Sequence, residues 1–137
     1  MTLPSMSLAI VGSAHKNSDG SDRRAEIDAC MPGEPIDLVL EPDNEFDCHA
    51  IAVYSSRAVQ IGYVRADRAP RIGSLLGSTE VRAIFQRPAE FGAWVRLAFD
   101  GEDPALTDAM LEDQDEGVIR HVAPEPDFYP DEIWPDD

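Results

Sequence analysis

The chain is short of positive charge, of cysteine and of long apolar runs, and each shortage removes a class of protein. No apolar run approaches the roughly 20 residues that span a bilayer, so no transmembrane helix is expected. The stretch before Gly12 carries no basic leader; no secretory signal is read there, and a cytoplasmic location is expected. Two cysteines, Cys30 and Cys48, are too few for a disulfide framework, and a reducing compartment keeps them as thiols. Neither they nor His15, His49 and His121 fall at a C-x-x-C or H-x-x-x-H spacing. Cys30, Cys48 and His49 make a zinc set on paper only, so no metal and no cofactor is expected. Catalytic signatures are missing too. There is no glycine-rich phosphate loop or carboxylate constellation, and Ser13 and His15, two apart, have no third group to orient them. A non-catalytic protein is expected.

What the chain has in excess is acid. It holds 27 Asp/Glu against 11 Lys/Arg, a formal net charge of −16 over 137 residues. The excess is not spread evenly. Residues 1–99 carry ten Lys/Arg and thirteen Asp/Glu, a net −3. Residues 100–137 carry one Arg, Arg120, and fourteen Asp/Glu, a net −13. An acidic terminal stretch of this kind is a solvated or partner-seeking extension. The division therefore reads as a folded domain over 1–100 and an extension over 101–137. The hydrophobic share, 43%, is that of an ordinary globular core.

Along the body the pattern is one of short strands. Ser7–Ala14 reads as a first strand, and Lys16–Gly20 as a loop. Arg23–Met31 reads as one or two helical turns, capped by Ser21 or Asp22 and stopped by Pro32-Gly33. Ile36–Leu40 alternates as a half-buried strand does. A dense turn, Pro42–His49, follows. Ala50–Tyr54 and Gln60–Val64 make a hairpin through Ser55-Ser56-Arg57-Ala58. Ala66–Leu76 reads as a helix kept short or irregular by Pro70 and Gly73. Glu80–Gln86 and Ala93–Asp100 are two last strands, separated by Arg87–Gly92. The expected class is mainly β: a small OB-like or SH3-like six-stranded barrel with one or two short helices. Past Gly101, Asp108–Glu116 reads as a helical turn or two. The end of the chain holds Phe128, Tyr129, Ile133 and Trp134 among prolines, which a fully solvated tail has little use for.

The run Leu38-Val39-Leu40-Glu41-Pro42-Asp43-Asn44-Glu45-Phe46-Asp47-Cys48-His49-Ala50-Ile51-Ala52-Val53 resembles the signature of HIRAN domains, E-P-x-N-x-[YF]-D-x-x-A-[IV]-x-V between two strands. Ile61-Gly62-Tyr63-Val64 is similar to the family's I-G-Y-[LV] strand, and the likeness extends over about residues 7–100. The resemblance implies a modified OB-like barrel that binds single-stranded DNA at its free 3′ end. By the same resemblance Asp47 would accept a hydrogen bond from the 3′-hydroxyl, Asn44 would bond to base or sugar, and Phe46 would stack on a base. Tyr63 and Arg65 would lie near the phosphate path. DNA-binding members place an Arg and two aromatics after the first strand, where this chain has Ala14-His15-Lys16; His15 and Lys16 are its candidates there.

Plainer roles exist for the same residues. Asn44 and Asp47 are the types that bond their own backbone in Asx-turns, Phe46 is suited to plug the space beneath the loop, and the arginines from Arg65 to Arg96 are suited to a scattered, solvated surface. A slightly acidic body with a −13 extension repels DNA over about 8 Å at physiological salt, the opposite of a basic footprint. Two functions are therefore weighed. One is a nucleic-acid-binding module whose tail tethers or masks. The other is an acidic interaction or inhibitor protein that meets a basic nucleic-acid-handling partner by mimicking the charge of DNA, through Asp127, Phe128, Tyr129, Asp131, Glu132 and Trp134.

Overall fold

A computed structural model describes residues 3–111. The tail candidates Asp127 to Trp134, and the second half of the helix expected over 108–116, lie outside the described residues. Six antiparallel strands close into a barrel in the order β1-β4-β3-β2-β5-β6, which is the expected class. The strands are β1 Met6–Val11, β2 Pro35–Leu40, β3 Ile51–Tyr54, β4 Gln60–Val64, β5 Arg82–Ala89 and β6 Gly92–Ala98. Helix α1, Arg23–Ala29, lies between β1 and β2; α2, Ala69–Ser78, between β4 and β5; and α3, Asp108–Leu111, after the barrel.

Alternation fills the interior. Leu8 and Ile10 from β1, Ile51 and Val53 from β3, Ile61 and Val64 from β4, Phe85 from β5 and Val95 and Leu97 from β6 are all buried in one core. Ile27 of α1 and Ile72 of α2 close onto it. A fully buried phenyl such as Phe85 stabilises a domain by about 3–5 kcal/mol, judged by removal to Ala.

Several boundaries depart from the expectation, and four are instructive. Strand β1 stops at Val11 rather than Ala14, because Gly12 (φ +88°) turns the chain away. Helix α1 is capped by Asp22, whose Oδ1 accepts from Arg24 N (2.9 Å) and Ala25 N (3.2 Å), and ends at Ala29 rather than Met31. Pro70 does not disorder α2. It stands in the first turn, where its missing N–H would have had no helical partner, and the helix runs on to Ser78. The loop expected at Arg87–Gly92 shrinks to Glu90-Phe91, with Pro88 inside β5 opposite Ala93. The proline is tolerated because β2 pairs with β5 only at Ala83 and Ile84, so Pro88 lies on an edge stretch of its strand.

Two glycines grip the exit of β1. A Cβ on Gly62 would sit 2.3 Å from Val11 O, and one on Gly92 2.1 Å from Ile10 O. Both contacts are with backbone, so neither neighbour can move aside cheaply. Arginine then ties α1 to the strands. Arg24 donates to the carbonyls of Ala89 (3.0 Å), Glu90 (3.0 Å) and Gly92 (3.3 Å) and to Ser13 Oγ (3.0 Å), fixing the β5–β6 turn. From the β3–β4 turn, Arg57 Nε donates to Glu26 Oε2 (2.7 Å).

Candidate nucleic-acid interface

The β2–β3 loop is held by its own backbone and side chains. Glu41 N donates to Ala50 O (2.9 Å) at its base, Asn44 N to Glu41 O (3.0 Å), and Ala50 N to Asp47 O (3.0 Å). Inside it, Asn44 Oδ1 accepts from Phe46 N (2.8 Å) and Asp47 N (3.1 Å). Asp47 Oδ1 accepts from His49 N (2.8 Å). These are the Asx-turns that the residue types call for. Asn44 Nδ2 donates to Glu41 Oε1 (3.0 Å), so both ends of its amide are engaged within the loop. Asp47 differs: its Oδ2 has no hydrogen bond among the described residues.

Phe46 is not the buried plug that its aromatic character fits. It is 51% exposed, in a loop that its own backbone and Asn44 hydrogen bonds hold together. The apolar ring is left on the surface beside Asp47.

Tyr63 joins this loop to the rest of the face. Its hydroxyl donates to the same Glu41 Oε1 (2.9 Å) that receives Asn44. On the sheet it stands between Val11 of β1 and Ala52 of β3. It packs with Val11, Ala50, Ala66 and Phe91 in a small cluster outside the main core. Burial, followed by the bond to Glu41 and its charge, pushes the Tyr63 phenol up, so it stays a proton donor at neutral pH. Phe91 in turn meets Trp94 edge-on at 5.4 Å between centroids. The face of Tyr63 carries the guanidinium of Arg23, 5.6 Å from the ring centroid.

The basic candidates are less closely grouped. Lys16 is exposed and bridges to Asp22 by backbone in the segment that leads to α1. His15 is half-buried nearby, its backbone N–H donating to Gly12 O at 3.3 Å. Asn17 ties this segment to β4 through Gln60 O (3.0 Å). Arg65 follows Tyr63 by two residues and pairs with Asp67 at 3.0 Å.

Three members of the surface were missed from the sequence: Glu41, Arg23 and Phe91. Glu41 opens the E-P-x-N run and was available as a signal. Arg23 was not, because it meets Tyr63 across 40 positions of chain with no spacing to mark it. Phe91 reads as a loop residue until Gly92 is known to begin a strand. Of the paper zinc set, Cys30 is buried at the end of α1 and Cys48 is exposed in the loop. Among the described residues no group of three His, Cys, Asp or Glu is placed to hold a metal. No helix among them is long and apolar enough to cross a membrane.

Comparison with known proteins agrees with this architecture. The crystal structure of the HIRAN domain of human HLTF is similar with a TM-score of 0.56 at 16% identity, over 72% of this chain and 76% of that one. A protein from Lactobacillus plantarum gives a TM-score of 0.58 at 17% identity, over 72% of this chain and 92% of that one. At such identities the likeness is one of fold. No curated protein matches the sequence. The HIRAN domain family model matches residues 5–98, the whole of the barrel and more than half of the sequence, and the chain belongs to that family.

Proposed function

We propose that this protein is a non-catalytic module that recognises the free 3′ end of single-stranded DNA, with its acidic extension as a mask. At the family level a HIRAN domain is a nucleic-acid-binding module. The observation that carries the finer reading is Asp47 Oδ2, an acceptor with no hydrogen bond among the described residues, on a half-buried side chain whose other oxygen is fixed by His49 N. A carboxylate oxygen takes a hydroxyl donor and repels a phosphate, which offers no donor. Phe46, 51% exposed beside it, supplies a ring on which the terminal base stacks. Asn44 then acts mainly by shaping the loop. Tyr63, Arg65, His15 and Lys16 line the path of the backbone.

The extension has its root on β5: Arg82 pairs with Asp103, and Gln86 Nε2 donates to Met110 O at 3.0 Å. A segment anchored there and bearing most of the −13 competes with DNA for the basic groups of the face. That anchoring also favours the second reading, in which Asp127, Phe128, Tyr129, Asp131, Glu132 and Trp134 are presented to a basic protein partner.

Fluorescence anisotropy with labelled single-stranded DNA at low salt tests both. A 3′-hydroxyl end should bind roughly tenfold or more tightly than a 3′-phosphate end, the scale of a hydrogen bond to a charged group. Asp47→Asn should erase that preference while keeping the bond from His49. Neutralising the carboxylates beyond Leu111 should tighten binding. An unchanged affinity on neutralisation removes the mask and leaves the partner reading of the tail.

A further inference from the structure

The charge hardest to explain by folding alone is Arg23. It is only 9% exposed, yet none of its partners is an anion. Nη1 donates to Gly12 O (2.8 Å), Nε to Asn17 Oδ1 (2.8 Å), and the guanidinium lies over Tyr63. Arg57, Arg65 and Arg82 each pair with a carboxylate, whereas no carboxylate pairs with Arg23 among the described residues. A desolvated cation without a counter-ion is costly, and natural sites keep one where a ligand supplies the missing charge.

The geometry leaves the fork partly unused. Arg23 Nη2 makes no hydrogen bond among the described residues and is not one of the fully enclosed polar atoms. The chain turns away at Gly12, where even an added Cβ would come no nearer than 3.4 Å to Nη1. The neighbouring Tyr63 reaches Glu41 with its hydroxyl, and Glu41 holds Asn44. One tyrosine therefore separates Arg23 from the loop that carries Asp47.

We infer that Arg23 is the phosphate seat of this face, taking the oxygens of the first phosphodiester inward from the bound end through Nη2, while the sugar and base rest against Tyr63. The inference rests on the nucleic-acid reading and deepens it. A guanidinium fork suits a phosphodiester better than the exposed Lys16, and Arg65 is already engaged with Asp67.

The test uses the full chain, with arginine Nε–Hε resonances followed by NMR. Probes are a short oligothymidylate with a 3′-hydroxyl, the same strand with a 3′-phosphate, the strand with its last linkage replaced by a neutral methylphosphonate, and inorganic pyrophosphate. The Arg23 resonance should move and saturate with the oligonucleotide. The methylphosphonate should cost roughly tenfold in affinity, and Arg23→Gln should make that replacement nearly silent. If Arg23→Gln does not fold, the wild-type arms decide. Equal binding of the two 3′ ends with an intact Arg23 response would overturn end recognition and keep the seat. A clear 3′-hydroxyl preference with a still Arg23 and a costless methylphosphonate would overturn the seat alone. Pyrophosphate that shifts Arg23 while no oligonucleotide binds would keep an anion seat and reject the DNA reading. No response to any probe would overturn both.

Discussion

The two ends of α1 handle an arginine in opposite ways. At the far end Arg57, 44% exposed, bonds Glu26 at 2.7 Å and lies 3.5 Å from Glu34, with Ser55 Oγ donating to Glu26 at 2.6 Å. At the near end Arg23, 9% exposed, has one carbonyl, an amide and an aromatic face but no acid. Charge follows burial in reverse of what stability alone would choose, since water screens the first cation and cannot reach most of the second. The exposed pair is a clamp between a turn and a helix. The buried cation is held ready for something else. What sets Arg23 apart is burial without a counter-ion, since the structural Arg24 also bonds no acid among the described residues but is only partly buried.

The comparison breaks most violently if the backbone beneath Arg23 is moved. Gly92→Ala places a Cβ 2.1 Å from Ile10 O at φ +152°, so β1 and β6 must separate. The expected loss is about 3 kcal/mol, the upper range for overpacking, read as a lower urea midpoint. DNA binding should fall with it, because Gly12 O, the acceptor of Arg23, follows directly on that strand. A variant that melts like the parent would mean that the barrel closes more loosely at this corner than the geometry allows.

Arg57→Ala sharpens the contrast by removing the clamp alone. It takes from Glu34 Oε1, already enclosed without a hydrogen-bond partner, its ion pair at 3.5 Å, and leaves Glu26 with only Ser55. The melting temperature should drop, more at low salt than at high, while affinity for DNA stays level. Loss of affinity with full stability would place the functional cation at the wrong end of the helix.

How much of this was legible varied with the range of the interaction. The barrel was readable because alternation in Ile36–Leu40 or Gln60–Val64 is a local record of which side faces inward. The β2–β3 loop was readable too, since Asn44 and Asp47 act on residues two or three positions away. Pro88 misled, because a proline reads as a loop unless the strand is known to lack a neighbour there. Phe46 misled as a plug: it is exposed, in a loop held by backbone and Asn44 hydrogen bonds. The Arg23–Tyr63 contact was illegible in principle: it exists only because β1, β4 and α1 meet at one corner, and no pattern in any one of them records the other two.

The smallest effect probes the far corner through its cysteine. Arg57 Nη2 lies 3.6 Å from Cys30 Sγ. Burial, with the charge of Glu26 next, outweighs that guanidinium and pushes the thiol from 9.0 up to about 11. The raised value means the folded state favours the neutral thiol. Its contribution to stability is therefore whole below pH 9 and is lost as pH rises toward 11. The urea midpoint should decline over that window, and Cys30→Ala should flatten part of the decline, with Tyr63, also pushed up, contributing in the same direction. At pH 8 a thiol reagent should label exposed Cys48 at once and leave Cys30 untouched until the chain unfolds. Equal labelling of the two would show α1 opening at its Arg57 end in the native state, and the clamp would then be weaker than the unpaired arginine at the other end.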